Sequence, residues 1–148
     1  MPNFFTENKD IQFHFNRIDL KEVVDIAEDN YEQSKEFAYA PVNYEDAKEN
    51  FEKVLEIIGD IAGNYIDERG SDVDHEGAHF EDGKVIYAKG TEENLKRLAQ
   101  ADLRGMILPR RFGGLNFPFT MYVMGIEMVS RADASLMNIF GLQDIADT

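Results

Sequence analysis

The feature that most constrains the fold is the segment from Phe112 to Ile126, which carries no charged residue in a chain that is 30% charged. Pro118 lies within it, and proline is favoured at the first position of a helix. We therefore predict a helix from about Pro118, interrupted in its apolar character only by Glu127. Its apolar side chains are Phe119, Met121, Tyr122, Val123, Met124, Ile126 and Met128. A helix that is apolar nearly all round is expected to be internal. The preceding hundred residues do not obviously supply that much partner surface, which suggests a piece of a larger protein.

Four further helices follow from capping residues and apolar periodicity. They are predicted to begin at Asp19, Asn43, Thr91 and about Asp133, with Glu22 completing a capping box for the first. The helix after Asn43 has the clearest apolar stripe, which runs along Ala47, Phe51, Val54, Leu55, Ile58, Ala62 and Tyr65. The last helix carries Leu136, Met137, Ile139, Phe140 and Ile145. Together these elements predict a mainly α-helical domain.

Glycines and turn residues punctuate this helical pattern. Residues 70–90 lack helical periodicity and are expected to form a turn-rich loop, in which Asp82-Gly83 between apolar residues is typical of a tight hairpin. We therefore predict one short β-hairpin there. A brief extended segment is predicted at residues 106–108. Gly59 and Gly63, four residues apart beside the stripe, are expected to permit close packing of another segment.

The densest polar cluster lies in the same loop. Asp72, Asp74 and Glu76 match alternating positions of a calcium-binding loop, but Gly83 stands where a bidentate glutamate belongs. His75 and His79 would share a face only on a helix. We expect a solvated loop whose carboxylates cap backbone N–H groups, and we predict no metal site. A calcium-binding module is the weakest of the alternatives that remain open.

Charge and composition exclude several classes of function. The net charge is −14, and most of the excess acid lies in residues 1–100. Such a surface disfavours nucleic acids and anionic membranes, since both require Lys and Arg. The chain has no Cys, which removes disulfides, thiolate ligands and a Cys nucleophile. Neither a secretory signal nor a membrane span is predicted, and we expect a cytoplasmic protein.

No group of residues composes an active site. His14 is a lone histidine between Phe13 and Phe15, the usual setting of a packed or surface residue. Gly113-Gly114 lacks the spacing of a phosphate-binding loop and predicts a sharp turn into the next helix. We therefore assign no catalytic residue, no cofactor-binding residue and no metal ligand to the chain.

Two motifs resemble the N-terminal helical domain of acyl-CoA dehydrogenases. Leu108–Gly114, LPRRFGG, is similar to that family's PxxYGG turn, and Glu127–Ser135, EMVSRADAS, is similar to its helix end. Phe112 replaces the commoner Tyr. Upstream, GSDVDHEGAHFEDGKVIYAKG at residues 70–90 and FFTENKDIQFHF at residues 4–15 are similar to the long subgroup, which carries an N-terminal extension. The resemblance thus covers essentially the whole chain.

The resemblance implies an oxidoreductase of fatty acid metabolism. Members remove hydrogen from Cα and Cβ of an acyl-CoA substrate, with FAD taking the hydride, a glutamate taking the proton and an electron-transfer flavoprotein reoxidising the flavin. Residues 1–40 would form the extension with its short acidic helix, and residues 41–148 the helical domain, truncated before a middle β-domain. The catalytic glutamate and most FAD contacts would lie beyond Thr148. A homo-oligomer is expected, and the 148 residues alone are expected to be inactive.

By register with the family, four residues would bind substrate. They are Leu136, Met137, Phe140 and Gly141, which fall where relatives line the acyl-chain pocket. Phe140 would lie near the pocket floor and limit chain length. An equally weighted alternative makes all four ordinary core residues. Arg110 and Arg111 would either meet a CoA phosphate or face solvent or a neighbouring domain, and the latter is favoured.

A different class of function stays open. The chain is alternatively a stand-alone acidic helical module that binds a protein partner through residues 117–140 and has no catalytic activity.

Overall fold

The computed structural model describes residues 2–146, with side chains described as far as Leu142. Over this range the chain is mainly α-helical with one two-stranded antiparallel hairpin, which confirms the predicted fold class. The elements are α1 (Lys9–Arg17), α2 (Lys21–Ala27), α3 (Tyr44–Ile61), α4 (Asp67–Glu76), β1 (His79–Glu81), β2 (Lys84–Ile86), α5 (Lys89–Gln100), α6 (Phe119–Ala132) and α7 (Ala134–Ala146). Residues 147–148 of the predicted helical domain and the side chain of Ile145 lie outside the described part.

The core forms where α3 packs against α6, and α6 against α7. The predicted start of α3 is confirmed, because the Asn43 side chain accepts a hydrogen bond from the Asp46 N–H at 2.8 Å. The predicted stripe is confirmed as well, with Val54 and Tyr65 only partly buried. The Phe51 ring meets the Phe117 ring edge to face at 4.7 Å between centroids. This contact joins α3 to the segment that leads into α6.

The N-terminal segment shares this core. Phe4 and Phe5 are buried, and the Phe4 N–H donates to the Gly59 carbonyl at 3.0 Å. A Cβ on Gly59 would lie 2.6 Å from the Phe5 nitrogen, and one on Gly63 would lie 2.4 Å from the Pro2 carbonyl oxygen. The close packing predicted at these two glycines is therefore confirmed, and its partner is the beginning of the chain.

The helix predicted near Asp19 is present as α2, but it is not the first, because an unpredicted helix, α1, precedes it. Asn8 caps α1 by accepting from the Asp10 and Ile11 N–H groups, and Ile11 and Phe15 enter the core. Helix α2 begins at Lys21, whose N–H donates to Asp19 at 3.0 Å. The N-cap residue of α2 is Leu20, which makes no side-chain cap, so the predicted Asp19 cap and Glu22 capping box are wrong. In α1, the apolar residues Ile11, Phe13 and Phe15 alternate with polar ones, a spacing that does not indicate a helix.

The polar region after α3 is more helical than predicted. Helix α3 continues through a π-helical turn at Ala62–Ile66 into α4, so the first part of the expected loop, including Asp72 and Asp74, is helix. The hairpin is confirmed, with Phe80 paired to Val85. Within residues 2–146, no group of three or more His, Asp and Glu residues is placed to hold a metal.

The remaining corrections concern single turns. Residues 106–108 form a turn rather than an extended segment, and α5 begins at Lys89, two residues before the expected Thr91. In the part of the chain that the structure describes, no helix has the length and apolar character to cross a membrane.

Candidate functional site

Asp133 fixes the break between α6 and α7. Its backbone is extended, with φ at −156°, and its N–H still closes α6 onto the Val129 carbonyl at 2.8 Å. Its Oδ1 accepts from the N–H groups of Ser135 and Leu136 at 2.9 and 3.0 Å, and from the Ser135 hydroxyl at 2.6 Å. These are the contacts of a helix N-cap. The motif RADAS therefore sets the direction in which α7 leaves α6, and the predicted start of the last helix is confirmed.

The four predicted substrate-binding residues lie together on α7. Leu136 and Phe140 are buried in the core, Met137 is partly buried against it, and Gly141 is buried. The Tyr122 hydroxyl of α6 donates to the Gly141 carbonyl at 2.5 Å, which holds the two helices together. A Cβ on Gly141 would make only ordinary contacts, the nearest at 3.5 Å. Their assignment to an acyl pocket stays a prediction.

One side of α6 is open, which corrects the expectation of an internal helix. The methionines and Tyr122 are buried, but Phe119 is 59% exposed and Val123 is 45% exposed. Leu142 of α7 is exposed too. The chain therefore covers one side of α6 and leaves an apolar strip on the other.

The glycine pair before α6 makes a tight turn, as predicted. Gly113 has φ at +85°, in the region that favours glycine. A Cβ on Gly114 would lie 2.1 Å from the Leu108 carbonyl oxygen, so no side chain fits there. The Asn116 N–H donates to that same carbonyl at 2.9 Å. This turn carries Arg110 inward while Arg111 stays exposed.

Arg110 forms a buried ion pair, so the expectation that it faces solvent, a neighbouring domain or a CoA phosphate is wrong. Its NH1 lies 2.5 Å from Glu28 Oε2, and the two side chains are 3% and 1% exposed. NH1 also donates to Gln33 Oε1 at 3.1 Å, and the Asn116 amide donates to Glu28 Oε1 at 3.3 Å. The pair joins the end of α2 to the turn before α6 across 82 residues of sequence.

A left-handed turn follows Glu28 directly. Asp29, Asn30 and Tyr31 all have positive φ, at 51°, 50° and 67°, which is unfavourable for side-chain-bearing residues. The Tyr31 hydroxyl donates to Asp25 at 2.5 Å, and Lys21 Nζ contacts the same carboxylate at 2.5 Å. The hydrogen bond from Lys21, followed by that from Tyr31, lowers the pKa of Asp25. Burial, followed by the hydrogen bond to Asp25, raises the pKa of Tyr31.

A cleft of about 180 Å³ opens beside Arg110 and is named here the Arg110 cleft. Its lining comes from the segment before α3, from α3 and from the turn before α6. The lining residues are Tyr39, Pro41, Ala47, Asn50, Phe51, Lys53, Val54, Arg110, Leu115 and Phe117. A second cleft of about 220 Å³ lies among α4, the hairpin, α5 and α7, with Thr91, Ser135 and Ile139 in its lining. Neither cleft was predicted, because each draws its lining from segments far apart in sequence.

The sequence matches the model of a known protein family. A family model described as acyl-CoA dehydrogenase, N-terminal domain, matches residues 48–146. The matched span contains the glycine turn, α6, the Asp133 cap and α7, and it begins inside α3. It therefore leaves out α1, α2 and Glu28. A search of curated proteins found no match.

Proposed function

The chain belongs to the acyl-CoA dehydrogenase family through that family's N-terminal domain, and from this premise we propose that it is the N-terminal portion of an FAD-dependent enzyme that forms an α,β double bond in an acyl-CoA thioester. The observation that carries the proposal is the match over residues 48–146, which spans α4 to α7 and most of α3. The reaction would belong to fatty acid metabolism. An electron-transfer flavoprotein is the proposed electron acceptor, and a homo-oligomer is the proposed assembly.

Helix α7 is the proposed contribution of this chain to the acyl-chain pocket. The Asp133 cap and the Tyr122–Gly141 hydrogen bond support it, because they hold α7 in a fixed orientation. Met137 is the proposed contact with the acyl chain, since it is only partly buried. Phe140 packs behind it, with its ring 6.4 Å from the Tyr122 ring, and would set the depth of the pocket.

FAD would be held mainly by parts of the enzyme outside this chain. The glycine turn lacks the spacing of a phosphate-binding loop, which supports this proposal. When bound, FAD supplies the hydride acceptor. We assign no catalytic step to a residue of this chain, whose proposed part is to orient the acyl group and exclude water from it.

The test uses the full-length enzyme. We expect flavin absorbance that bleaches when an acyl-CoA is added without oxygen, for at least one member of a series of chain lengths. Phe140→Leu should shift the ratio of kcat/KM values toward longer acyl chains by about tenfold. This is the lower end of the discrimination that one methylene group gives in an apolar pocket. Asn138→Ala, on the exposed side of α7, is the matched control. An enzyme that no acyl-CoA bleaches would refute the function, whereas bleaching with unchanged chain-length preference would refute only the pocket.

The open strip on α6 favours a second candidate function. Phe119 and Val123 present apolar side chains, as the stand-alone protein-interaction module requires. That candidate predicts a flavin-free protein whose partner binding is lost when both residues become Ser. Flavin bound in stoichiometric amount by the full-length protein would exclude it.

A further inference from the structure

We propose that two copies of this chain associate through strand β1 of the hairpin, each β1 pairing antiparallel with β1 of the other copy. Phe80 lies at the centre of the contact and meets the second copy's Phe80 across a two-fold axis. The contact rests on no step of the dehydrogenase reaction. Flavin bleaching therefore tests that reaction, and association of the chain tests the contact.

The hairpin stands away from the core. All residues from 78 to 87 are exposed, and each strand packs mainly against the other. Phe80 is 74% exposed, and Val85, its partner across the hairpin, is 57% exposed. A two-stranded hairpin is marginally stable in water unless a further strand or a packed face supports it. This hairpin therefore needs a cover that the described residues do not supply.

The free edge of β1 offers backbone hydrogen-bonding groups. Asp82-Gly83 has positive φ at both residues, 48° and 78°, as in the two-residue turn that makes Glu81 and Lys84 a hydrogen-bonded pair. Hydrogen-bonded and non-hydrogen-bonded pairs alternate along an antiparallel ladder. The N–H and C=O of Phe80 therefore point away from β2, and no backbone group of the described residues outside the hairpin pairs with them. A strand added at this edge would bind both.

The side chains beside Phe80 are complementary when β1 pairs with itself. Antiparallel pairing centred on Phe80 places His79 of each copy opposite Glu81 of the other. Within one chain, His79 Nε2 lies 3.9 Å from Glu81 Oε2, so both side chains lie on the same face of the hairpin. An imidazole N–H donates to a carboxylate, and such cross-strand pairs stabilise a sheet. The two-fold axis forms the pair twice.

The outer edge of β2 lacks this complementarity. Pairing centred on Val85 would place Lys84 opposite the second copy's Ile86, and lysine on an edge strand opposes pairing. Pairing through β1 instead builds a four-stranded sheet in which Val85 and Phe80 of both copies form one apolar row. The net charge of −14 opposes association of two copies. We therefore expect a weak dimer.

Disulfide trapping distinguishes the two edges. The chain has no Cys, so one introduced thiol can form only an intermolecular disulfide. In Phe80→Cys the two Cα atoms would be about 5.5 Å apart, within the disulfide range of about 4.4–6.8 Å. In Val85→Cys, the matched control, they would be three strand spacings apart, about 14 Å. After mild oxidation we expect about tenfold more cross-linked dimer from Phe80→Cys than from Val85→Cys.

Sedimentation equilibrium over a range of protein concentrations tests the register in variants that keep Phe80. Glu81→Lys should weaken the dimer about tenfold, because both cross-strand pairs are lost. It also changes the net charge from −14 to −12, so reduced repulsion alone would strengthen the dimer. The double variant His79→Glu, Glu81→Lys exchanges the charges and should restore association. Phe119→Ser, which alters a side chain on α6 that is 59% exposed, is the control that should leave association unchanged.

Circular dichroism shows first that each variant is folded. Cross-linking confined to Phe80→Cys, with a weaker dimer in Glu81→Lys that the charge exchange restores, supports the contact. Equal cross-linking of the two thiol variants would overturn it, as would unchanged association in Glu81→Lys. A chain that stays monomeric up to millimolar concentration would also overturn it, and another part of the enzyme would then cover the hairpin. Loss of the dimer in Phe119→Ser alone would assign the contact to α6 instead.

Discussion

Removal of one partner of the Glu28–Arg110 pair tests the central packing feature of the fold. Glu28→Ala leaves the guanidinium of Arg110 buried beside Gln33 without its carboxylate. It also removes one of the two acceptors of the Asn116 amide, which keeps its hydrogen bond to the Ala27 carbonyl. Both Glu28 and Arg110 are almost fully buried. Solvent therefore cannot compensate for the missing charge, as it does at a protein surface.

The expected cost is large for a domain of this size. Breaking a buried ion pair by removing one partner costs about 3–5 kcal/mol, against a total stability of about 5–15 kcal/mol. With about 2–4 °C for each kcal/mol in a domain near this length, Tm should fall by roughly 6–20 °C. The double variant Glu28→Leu, Arg110→Met should recover most of the loss, because apolar residues of similar volume often replace a buried pair at little cost.

Urea unfolding followed by circular dichroism measures the loss. Glu49→Ala is the control, because the Glu49–Lys53 pair is 3.8 Å apart with side chains 69% and 65% exposed, and such pairs contribute at most about 1 kcal/mol. A loss below about 1 kcal/mol in Glu28→Ala would contradict the burial argument. A double variant less stable than Glu28→Ala would show that the site needs charges rather than volume.

Two further predictions concern the turns on either side of this pair. Folding raises the pKa of Tyr31 and lowers that of Asp25. The contribution of Tyr31 to stability is therefore lost as pH rises above its ordinary pKa of about 10. The contribution of Asp25 is lost as pH falls below about 4. Urea titrations across pH should show a smaller loss of stability at alkaline pH in Tyr31→Phe than in the wild type, and an equal loss would contradict the assignment. Gly114→Ala should prevent stable folding, because its Cβ would lie 2.1 Å from the Leu108 carbonyl oxygen. Gly113→Ala places its Cβ in open space at φ +85° and should cost only about 1–2 kcal/mol of stability in the same urea assay. Equal losses of stability in the two variants would refute the steric argument.

The helices with local signals were predictable from the sequence. Asn43 and Asp133 cap helices in the structure as their residue types predict, since a short polar side chain satisfies the free N–H groups of the first turn whatever the rest of the chain does. The turn at Asp82-Gly83 likewise depends on local backbone conformation, with φ of 48° and 78°. Gly59 and Gly63 predicted a close approach, but the sequence did not reveal that the beginning of the chain is the segment that approaches.

The Glu28–Arg110 pair could not be predicted, because nothing local distinguishes its members from surface charges. Glu28 ends an acidic helix, and Arg110 stands next to Arg111, which is exposed. Burial of Glu28 arises when the turn at 29–31 and the glycine turn bring two segments together across 82 residues of sequence. The Arg110 cleft depends on the same long-range contact, and so does the correction to the expected role of Arg110.

Helix α6 shows a different limit of periodicity. A helix with one apolar stripe reveals which side it buries, but a helix that is apolar nearly all round does not, because each orientation satisfies the pattern. In this chain α6 turns its methionines and Tyr122 inward and leaves Phe119 and Val123 at 59% and 45% exposure. Full burial of such side chains is worth about 1.5–3 kcal/mol each, so covering these two half-exposed residues would contribute roughly half of that for each. Only a surface beyond the described residues can supply this cover, so the open side of α6 is where we expect the rest of a dehydrogenase subunit to pack.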